Sequence, residues 1–489
     1  MIDLTTANRL SDWSGVRVTV AGIGASGFSA ADVLAEYGAQ VTVVDELDND
    51  QTRDKAGLLQ VLGATVRLGP GAADKLDDDC DLVIASPGWF PNSPLFVQAQ
   101  ARFVPVWADV ELAFRFQQPD RVVPWLGVTG TNGKTTTVTM LNSMLTAAGL
   151  TSSAVGNVGR PILETILDGV AYDCLAVELS SFQLHWLDSV SLHSAAVLNV
   201  EPDHLQWYRT ISDDPFEAYA ADKARIFNHV THSCVYNVQD PRTEKMVEDA
   251  DVVEGARAIG FTTGIPGMSM LGVVDDMLVD RAFISQRRDS ALELASIADV
   301  PTGAPHMIAD ALAAAALARS FGVSATAVRD GLRAFTLGPH RIEQVASSNQ
   351  ITWVDDSKAT NAHAAEASLR GFDSVVWIGG GQAKGTRFED LVSDNSGRIK
   401  AAVLMGTDAP VLAEAFASKA PDIPVVILEG TDPGIMRQVV EQAGRFAEPG
   451  DTVLLAPACA SQDMYTDYAD RGEWFARCVQ DYLRTKGEI

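Results

Sequence analysis

Cysteine is scarce in this 489-residue chain, and its five residues, Cys80, Cys174, Cys234, Cys459 and Cys478, include no C-x-x-C pair. That argues against a disulfide framework or a zinc ribbon and fits a reducing cytoplasm. Long apolar runs are also missing. The longest, Leu312–Ala318, is far short of the roughly 20 residues a membrane helix needs. The N-terminus, MIDLTTANRLSDW, has no basic stretch leading into an apolar one, so neither membrane insertion nor secretion is expected. Positive charge is short as well: Lys plus Arg number 37 against 64 Asp plus Glu, a net charge of −27. With no basic run to offset it, nucleic acid and anionic membrane are poor partners, and no obligate protein partner is evident. Anionic substrates must then be met locally, by backbone N–H groups, metal ions and a few placed Lys and Arg.

What is present is an ordinary globular composition, 47% hydrophobic, with short β-branched runs alternating with amphipathic helices. This is the pattern of an α/β protein whose mostly parallel sheets are covered by helices. Turn-rich or polar stretches at Gln117–Asp120 and around Gly338–His340 divide it into three domains, 1–113, 114–337 and 338–489. In the first, the strand VRVTVAG runs into the G-x-G-x-x-G of Gly22, Gly24 and Gly27, a helix is expected over Phe28–Tyr37, and a second strand ends at Asp45. Gly24, Ser26 and Gly27 would let a diphosphate approach the backbone, and Asp45 would take a ribose or base; NAD or any nucleoside diphosphate serves equally.

The second domain carries Gly130-Thr131-Asn132-Gly133-Lys134-Thr135 between the strand WLGVT and a helix expected over Thr136–Ala148. Such a loop cradles the phosphates of a nucleoside triphosphate, with Lys134 reaching the terminal ones and the Thr135 hydroxyl available to Mg²⁺. The first glycine of the longer phosphate-loop pattern is replaced by Val128, leaving G-x-x-G-K-T. Farther on, AVELSSFQL and AAVLNVEPDHL set Glu178 and the pair Asp203, His204 at carboxyl strand ends, where α/β sheets bind ligands. Glu178 is a candidate Mg²⁺ ligand. His204 reads either as a second ligand or as a capping histidine, and Lys223, in DKARIF, by spacing alone reads as a solvated or salt-bridged lysine. In the third domain, DDSKATN, GGGQAKG, MGTD and APACASQD follow strands and read as a binding face for a small polar molecule, or as ordinary turns.

Taken together, GTNGKTT, VELSSFQL, LNVEPDH, DKARI, GPHR, DDSKATN, GGGQAKG and APACASQD resemble the Mur ligase family, in order and over essentially the whole chain. ELSSFQL, DSKATN and APACAS resemble its D-glutamate-adding branch in particular. The resemblance implies an N-terminal Rossmann-like domain for a UDP-sugar, a central P-loop ATPase and a C-terminal Rossmann-like domain for the amino acid. The glycine loop then serves UDP and not NAD. It implies ATP and two Mg²⁺ ions, with UDP-N-acetylmuramoyl-L-alanine and D-glutamate as substrates, in cytoplasmic peptidoglycan precursor synthesis. Lys134, Thr135 and Thr136 would meet ATP, Glu178 and His204 would hold metal, and Lys223 would be carbamylated and turned to the metal as an anion. Asn157 and Ser180 would lie by the muramoyl substrate. Arg341 and Asp356 would contact ATP with Lys358 beside them, while Thr360, Lys384, Ser461 and Tyr468 would surround D-glutamate. The site would draw on all three domains, with closure of the third.

Four positions depart from the family pattern: Glu46-Leu47 follow Asp45, Asp310 stands at the usual adenine-contacting asparagine, Asp355 replaces an asparagine and Tyr468 a phenylalanine. An aspartate accepts from the adenine amino group but donates nothing to a ring nitrogen. The implied chemistry is conversion of the alanyl carboxylate to an acyl phosphate, followed by amine attack. The alternatives are another Mur or folylpolyglutamate-type amide ligase, a NAD-dependent oxidoreductase, which leaves GTNGKT unexplained, or a non-catalytic nucleotide-binding regulator.

Overall fold

The computed structural model describes residues 2–488. They form two compact units. One runs to Pro202 and resumes over Trp207–Phe335; the other joins Asp203–Gln206 to the chain from Thr336 onward.

The first unit holds two sheets. Strands β1 (Arg17–Ala21), β2 (Gln40–Asp45), β3 (Thr65–Leu68), β4 (Leu82–Ala85) and β5 (Val106–Ala108) are ordered β3-β2-β1-β4-β5 and are all parallel. The unbroken apolar run of β4, LVIA, is buried throughout, as expected where helices cover both faces. The strand order reverses beside β1, so the loop that leaves it at Gly22 opens onto a crevice.

The second sheet comprises β6 (Trp125–Thr129), β7 (Ser152–Gly156), β8 (Cys174–Glu178), β9 (Ser194–Val197), β10 (Ser233–Asn237), β11 (Arg257–Phe261), β12 (Met270–Val274), β13 (Met277–Asp280) and β14 (Leu292–Ser296). Their order is β14-β13-β12-β11-β10-β9-β6-β8-β7. It is parallel from β7 to β12 and antiparallel beyond. β6 lies between β8 and β9, with Val128 level with Glu178 and Thr129 with Val197. That register brings the phosphate loop and the acidic strand end to one edge. The helix Pro305–Ser320 packs on β9, β10 and β11 and on the helix Lys134–Ala147, and its run of buried alanines permits the close approach. Trp13, Trp107, Phe116 and Trp125 share one core with Leu175 and Val197, so both sheets rest on common apolar packing. Each buried indole contributes roughly 4–6 kcal/mol of gross transfer free energy.

In the second unit β15 (Glu343–Ser348), β16 (Ile351–Asp355), β17 (Val375–Gly380), β18 (Ile399–Met405), β19 (Val425–Leu428) and β20 (Thr452–Leu455) are ordered β15-β16-β20-β17-β18-β19. Only the edge pair β15–β16 is antiparallel.

Two helices start earlier than the sequence predicts, at Ala25 and Lys134. Gly24 and Gly133 cap them directly, so the loop residues themselves form the first turn. His204 does not follow a strand end: β9 stops at Val197, and Asp203–Gln206 group with the second unit. Among the described residues no helix is long and apolar enough to cross a membrane.

Candidate active site

At the tip of β1, Gly22 adopts φ +98°, a left-handed conformation that suits glycine. A Cβ at Gly27 would lie 1.9 Å from the Gly22 carbonyl oxygen, so only glycine lets the helix start this close to the loop. Gly24, by contrast, faces open space: a Cβ there would meet nothing within 4 Å. Both carboxylate oxygens of Asp45 are engaged by the backbone, one by Ile23 N–H at 2.8 Å and the other by Leu47 N–H at 2.9 Å. Asp45 therefore fixes the loop's shape. Two neighbours that sequence reasoning missed complete this rim: Ser86 and Trp89 lie over Gly22. Lys55 joins them, donating to the Ile23 carbonyl at 3.3 Å. Lys55 carried no motif; only its helix places it here.

At the tip of β6 the phosphate loop is braced from below. Thr131 N–H donates to the Asn199 carbonyl, and Asn132 N–H to Asn199 Oδ1 at 2.9 Å. Tyr219 OH lies 2.9 Å from the Thr131 hydroxyl. Gly133 sits at φ +84°, and a Cβ there would fall 2.2 Å from Asp310 Oδ1. The buried Asp310 carboxylate thus lies against the phosphate loop. Lys134 Nζ donates to the carbonyls of Gly130 and Thr131, both at 2.9 Å, and Lys223 Nζ donates to the same Gly130 carbonyl at 2.7 Å. Lys223 is 2% exposed and lies 4.6 Å from the centre of the Tyr219 ring. It is not a solvated lysine. Thr135 and Thr136 open the helix, Thr135 half-buried and Thr136 buried.

Glu178 ends β8 and is 2% exposed. Its Oε1 accepts from Asn157 Nδ2 at 3.0 Å, while its Oε2 is buried with no hydrogen-bond partner among the described residues. A buried carboxylate oxygen lacking a donor is costly, and a hard cation is the ligand such an atom suits. Gly156 (φ +100°) brings Asn157 into place, because a Cβ at Gly156 would meet the Glu178 carbonyl oxygen at 2.2 Å. Ser180 caps the helix Ser181–His185: its hydroxyl accepts from Gln183 N–H at 3.2 Å, and Gln183 Oε1 accepts in return from Ser180 N–H at 3.1 Å. His204, at φ +53°, takes its turn from Asp203, whose Oδ1 accepts its backbone N–H at 2.8 Å.

In the second unit the strand-tip loops are laced together. Ala458 N–H donates to the Ala359 carbonyl, and Gln382 and Ala460 exchange backbone bonds at 2.9 and 3.0 Å. The loops carrying Thr360, Lys384 and Ser461 are therefore neighbours. Ser461 is buried, its hydroxyl without a partner among the described residues, and Lys384 is exposed at φ +52°. The Lys358 ammonium stands 3.7 Å over the centre of the Tyr468 ring. Asp356 accepts from Ile342 N–H at 3.2 Å and from the Ser368 hydroxyl. Burial pushes its carboxyl up to about 6, while Ser368, the Ile342 amide and the nearby charge of Arg341 pull it back. Asp355, wholly buried, takes His340 Nδ1 at 2.7 Å and Ser357 N–H at 2.9 Å. Its carboxylate character thus serves an internal pairing.

A residue without any sequence signal anchors these loops. Arg471, 1% exposed, donates from Nε and Nη2 to the hydroxyl and carbonyl of Ser357 and from Nη1 to the Cys459 carbonyl. The adjacent Gly472 leaves room for the His340–Asp355 pair, since a Cβ there would lie 2.2 Å from His340 Nδ1.

The chain matches three family models in sequence: the Mur ligase MurD-like N-terminal domain over residues 16–108, the Mur ligase middle domain over 128–318 and the Mur ligase glutamate ligase domain over 340–459. It is 56% identical to a UDP-N-acetylmuramoylalanine–D-glutamate ligase of Streptomyces coelicolor over 475 residues, covering 96% of this chain and 99% of that one. It is 50% identical to the enzyme of the same description from Thermobifida fusca, covering 95% and 98%. Among solved structures, the UDP-N-acetylmuramate-alanine ligase MurC of Thermotoga maritima is alike in fold, with a TM-score of 0.57 at 17% identity over 96% of this chain and 99% of that one.

Proposed function

The chain belongs to the Mur ligase family, and from that premise we propose that it joins D-glutamate to UDP-N-acetylmuramoyl-L-alanine using ATP. Its architecture is the three-domain α/β arrangement of that family. We assign residues 1–113 to the UDP-substrate, 114–337 to ATP and 338–489 to the amino acid. Members of the family generally require ATP and Mg²⁺.

A carboxylate is a poor acyl donor because oxide would have to leave. ATP removes that obstacle: an oxygen of the alanyl carboxylate attacks the γ-phosphorus, the bond to the β–γ bridging oxygen breaks, and ADP departs. The amine of D-glutamate then attacks the acyl carbon and loses a proton, and inorganic phosphate leaves with the original carboxylate oxygen. Lys134 and the loop N–H groups are assigned to hold the triphosphate in line, which is most of what phosphoryl transfer asks of a protein. Glu178, Thr135 and His204 offer the hard donors Mg²⁺ takes, and the orphaned Glu178 Oε2 fits that role; two ions, when bound, would offset phosphate charge. Lys223 is assigned as a carbamate facing that centre, and Lys384, Thr360, Ser461 and Tyr468 as the D-glutamate set, because a dicarboxylate calls for a cation and hydroxyl donors.

The observation that carries this reading is the edge where β6 and β8 end together. There Lys134 and Lys223 converge on Gly130, and Glu178 presents a buried oxygen without a donor among the described residues. The test is ADP release with UDP-N-acetylmuramoyl-L-alanine, with and without D-glutamate. Turnover that needs D-glutamate is expected; turnover with another amino acid alone would assign a sibling ligase.

A further inference from the structure

We propose that Trp89 walls the crevice above the glycine loop at Gly22 as a contact for the UDP-substrate, and that Trp207 is the positioning residue that holds it there. The inference rests on the reading above, which gives residues 1–113 and their glycine loop to the UDP-substrate.

The chain leaving β4 crosses over the chain leaving β1. Ser86 N–H donates to the Ala21 carbonyl at 3.0 Å, and the Ser86 hydroxyl donates to the Gly22 carbonyl at 3.5 Å. Gly88, at φ +97°, then turns the chain, and the indole of Trp89 comes down on the loop: a Cβ at Gly22 would lie 2.9 Å from its Nε1. The residue is half-buried, so part of it stays open to a ligand at the point where the strand order reverses. An indole offers a flat apolar body that suits the C–H side of a sugar ring, and one N–H that can meet a phosphate oxygen.

Ordering a surface turn costs conformational entropy, so such a wall needs an anchor. Trp207, 3% exposed, supplies it by donating from Nε1 to the Trp89 carbonyl at 2.7 Å. Trp207 is itself fixed on its other side, edge-on to His185 with ring centres 5.1 Å apart, and His185 Nδ1 pairs with the buried Asp222 at 2.8 Å. From His185 the packing returns to Trp89 through Trp186 and Phe96, with ring centres 4.5, 5.4 and 6.3 Å apart in turn. These rings make a closed circuit inside one compact unit, and the Trp207–Trp89 hydrogen bond is the link that closes it. Phenylalanine at position 207 would keep an aromatic ring in the circuit but has no N–H to close it.

The test is equilibrium binding of UDP-N-acetylmuramoyl-L-alanine, measured by calorimetry without ATP, with KM values for the three substrates alongside. In Trp207→Phe the Kd for the UDP-substrate should rise about three- to tenfold, the scale of one neutral hydrogen bond, while KM for ATP and for D-glutamate stays unchanged. Trp89→Leu removes the wall itself and should raise that Kd by at least as much. The decisive variant is W89L/W207F. If Trp207 acts through Trp89, the second substitution adds nothing to the first, whereas two independent contributions would multiply. A general packing role for Trp207 would raise all three KM values and add its penalty again in the double variant. Wild-type Kd in either single variant, or multiplied losses in the double variant, overturns the proposal. Should W207F not fold, W89L decides alone, because a wall whose removal leaves Kd unchanged holds no substrate. Wild-type protein that fails to bind the UDP-substrate at all would instead sink the functional reading.

Discussion

Asp310 occupies an unusual place for an acid, because its carboxylate lies against Gly133 of the loop proposed above to hold the triphosphate. The contact depends on glycine twice over, through φ +84° and through the missing Cβ. A negative charge there works against phosphate binding, and within a Debye length such a charge is worth on the order of 1 kcal/mol in a partly shielded site. Asp310→Asn keeps the shape and removes the charge. KM for ATP should therefore fall, by about three- to tenfold on that Coulomb scale, with little change in KM for D-glutamate. Steady-state kinetics at fixed Mg²⁺ checks this, and a higher KM for ATP would mean that the carboxylate acts chiefly as an acceptor holding the loop. The sequence identified Asp310 as an acid at an expected asparagine, but could not show that it touches the phosphate loop. Asp45 gives the opposite lesson: its place at a strand end was legible, whereas the engagement of both its oxygens by Ile23 and Leu47 N–H groups depends on loop geometry that no spacing encodes.

Strands β9 and β10 start level, Ser194 beside Ser233, and the histidines just before them stack, His193 on His232, with ring centres 4.9 Å apart and planes 11° from parallel. Each ring's Nδ1 meets the serine that follows it. Burial, with His232 adding a little, lowers the pKa of His193 from 6.5 to about 4. His193 is thus neutral when folded and basic when unfolded. Between about pH 6.5 and 4 the unfolded chain binds the extra proton, so this contribution to stability is complete above the unfolded value and is lost as the pH falls through that window. His193→Phe, which keeps an aromatic ring on the stack, should flatten the fall of the thermal midpoint between pH 6.5 and 4, and an unchanged slope would assign the acid sensitivity elsewhere. This end of the sheet is remote from the Gly130 edge, since parallel strands carry their ligand loops at the opposite end. That polarity is why so much of the fold was legible: GTNGKT, AVELSS and WVDDSKATN each join a local strand pattern to a polar tip, and register aligns the tips automatically. The Asp109–Gln183 and Arg471–Ser357 bonds were not legible, because they link residues 74 and 114 positions apart whose own neighbourhoods carry no repeat or spacing.

At the scale of the whole molecule the net charge of −27 acts on every substrate before any contact is made. UDP-N-acetylmuramoyl-L-alanine, ATP and D-glutamate are all anions, so the long-range field opposes their approach, while the favourable groups at the loops, N–H dipoles and single lysines such as Lys55 and Lys134, act only over short distances. Salt separates the two. Raising ionic strength from 0.01 to 0.15 M shortens the Debye length from about 30 Å to about 8 Å, which screens the distant acidic surface far more than a lysine in contact with its ligand. At constant free Mg²⁺, kcat/KM for UDP-N-acetylmuramoyl-L-alanine should therefore rise, on the order of two- to fivefold, against the usual decline for enzymes that steer anions with basic clefts. The effect should appear in kcat/KM and be nearly absent from kcat, because screening acts on encounter and not on the bound complex. A decline with salt would show that the local field at the glycine and phosphate loops extends beyond the acidic surface, and would recast the few lysines there as steering groups in place of contact groups.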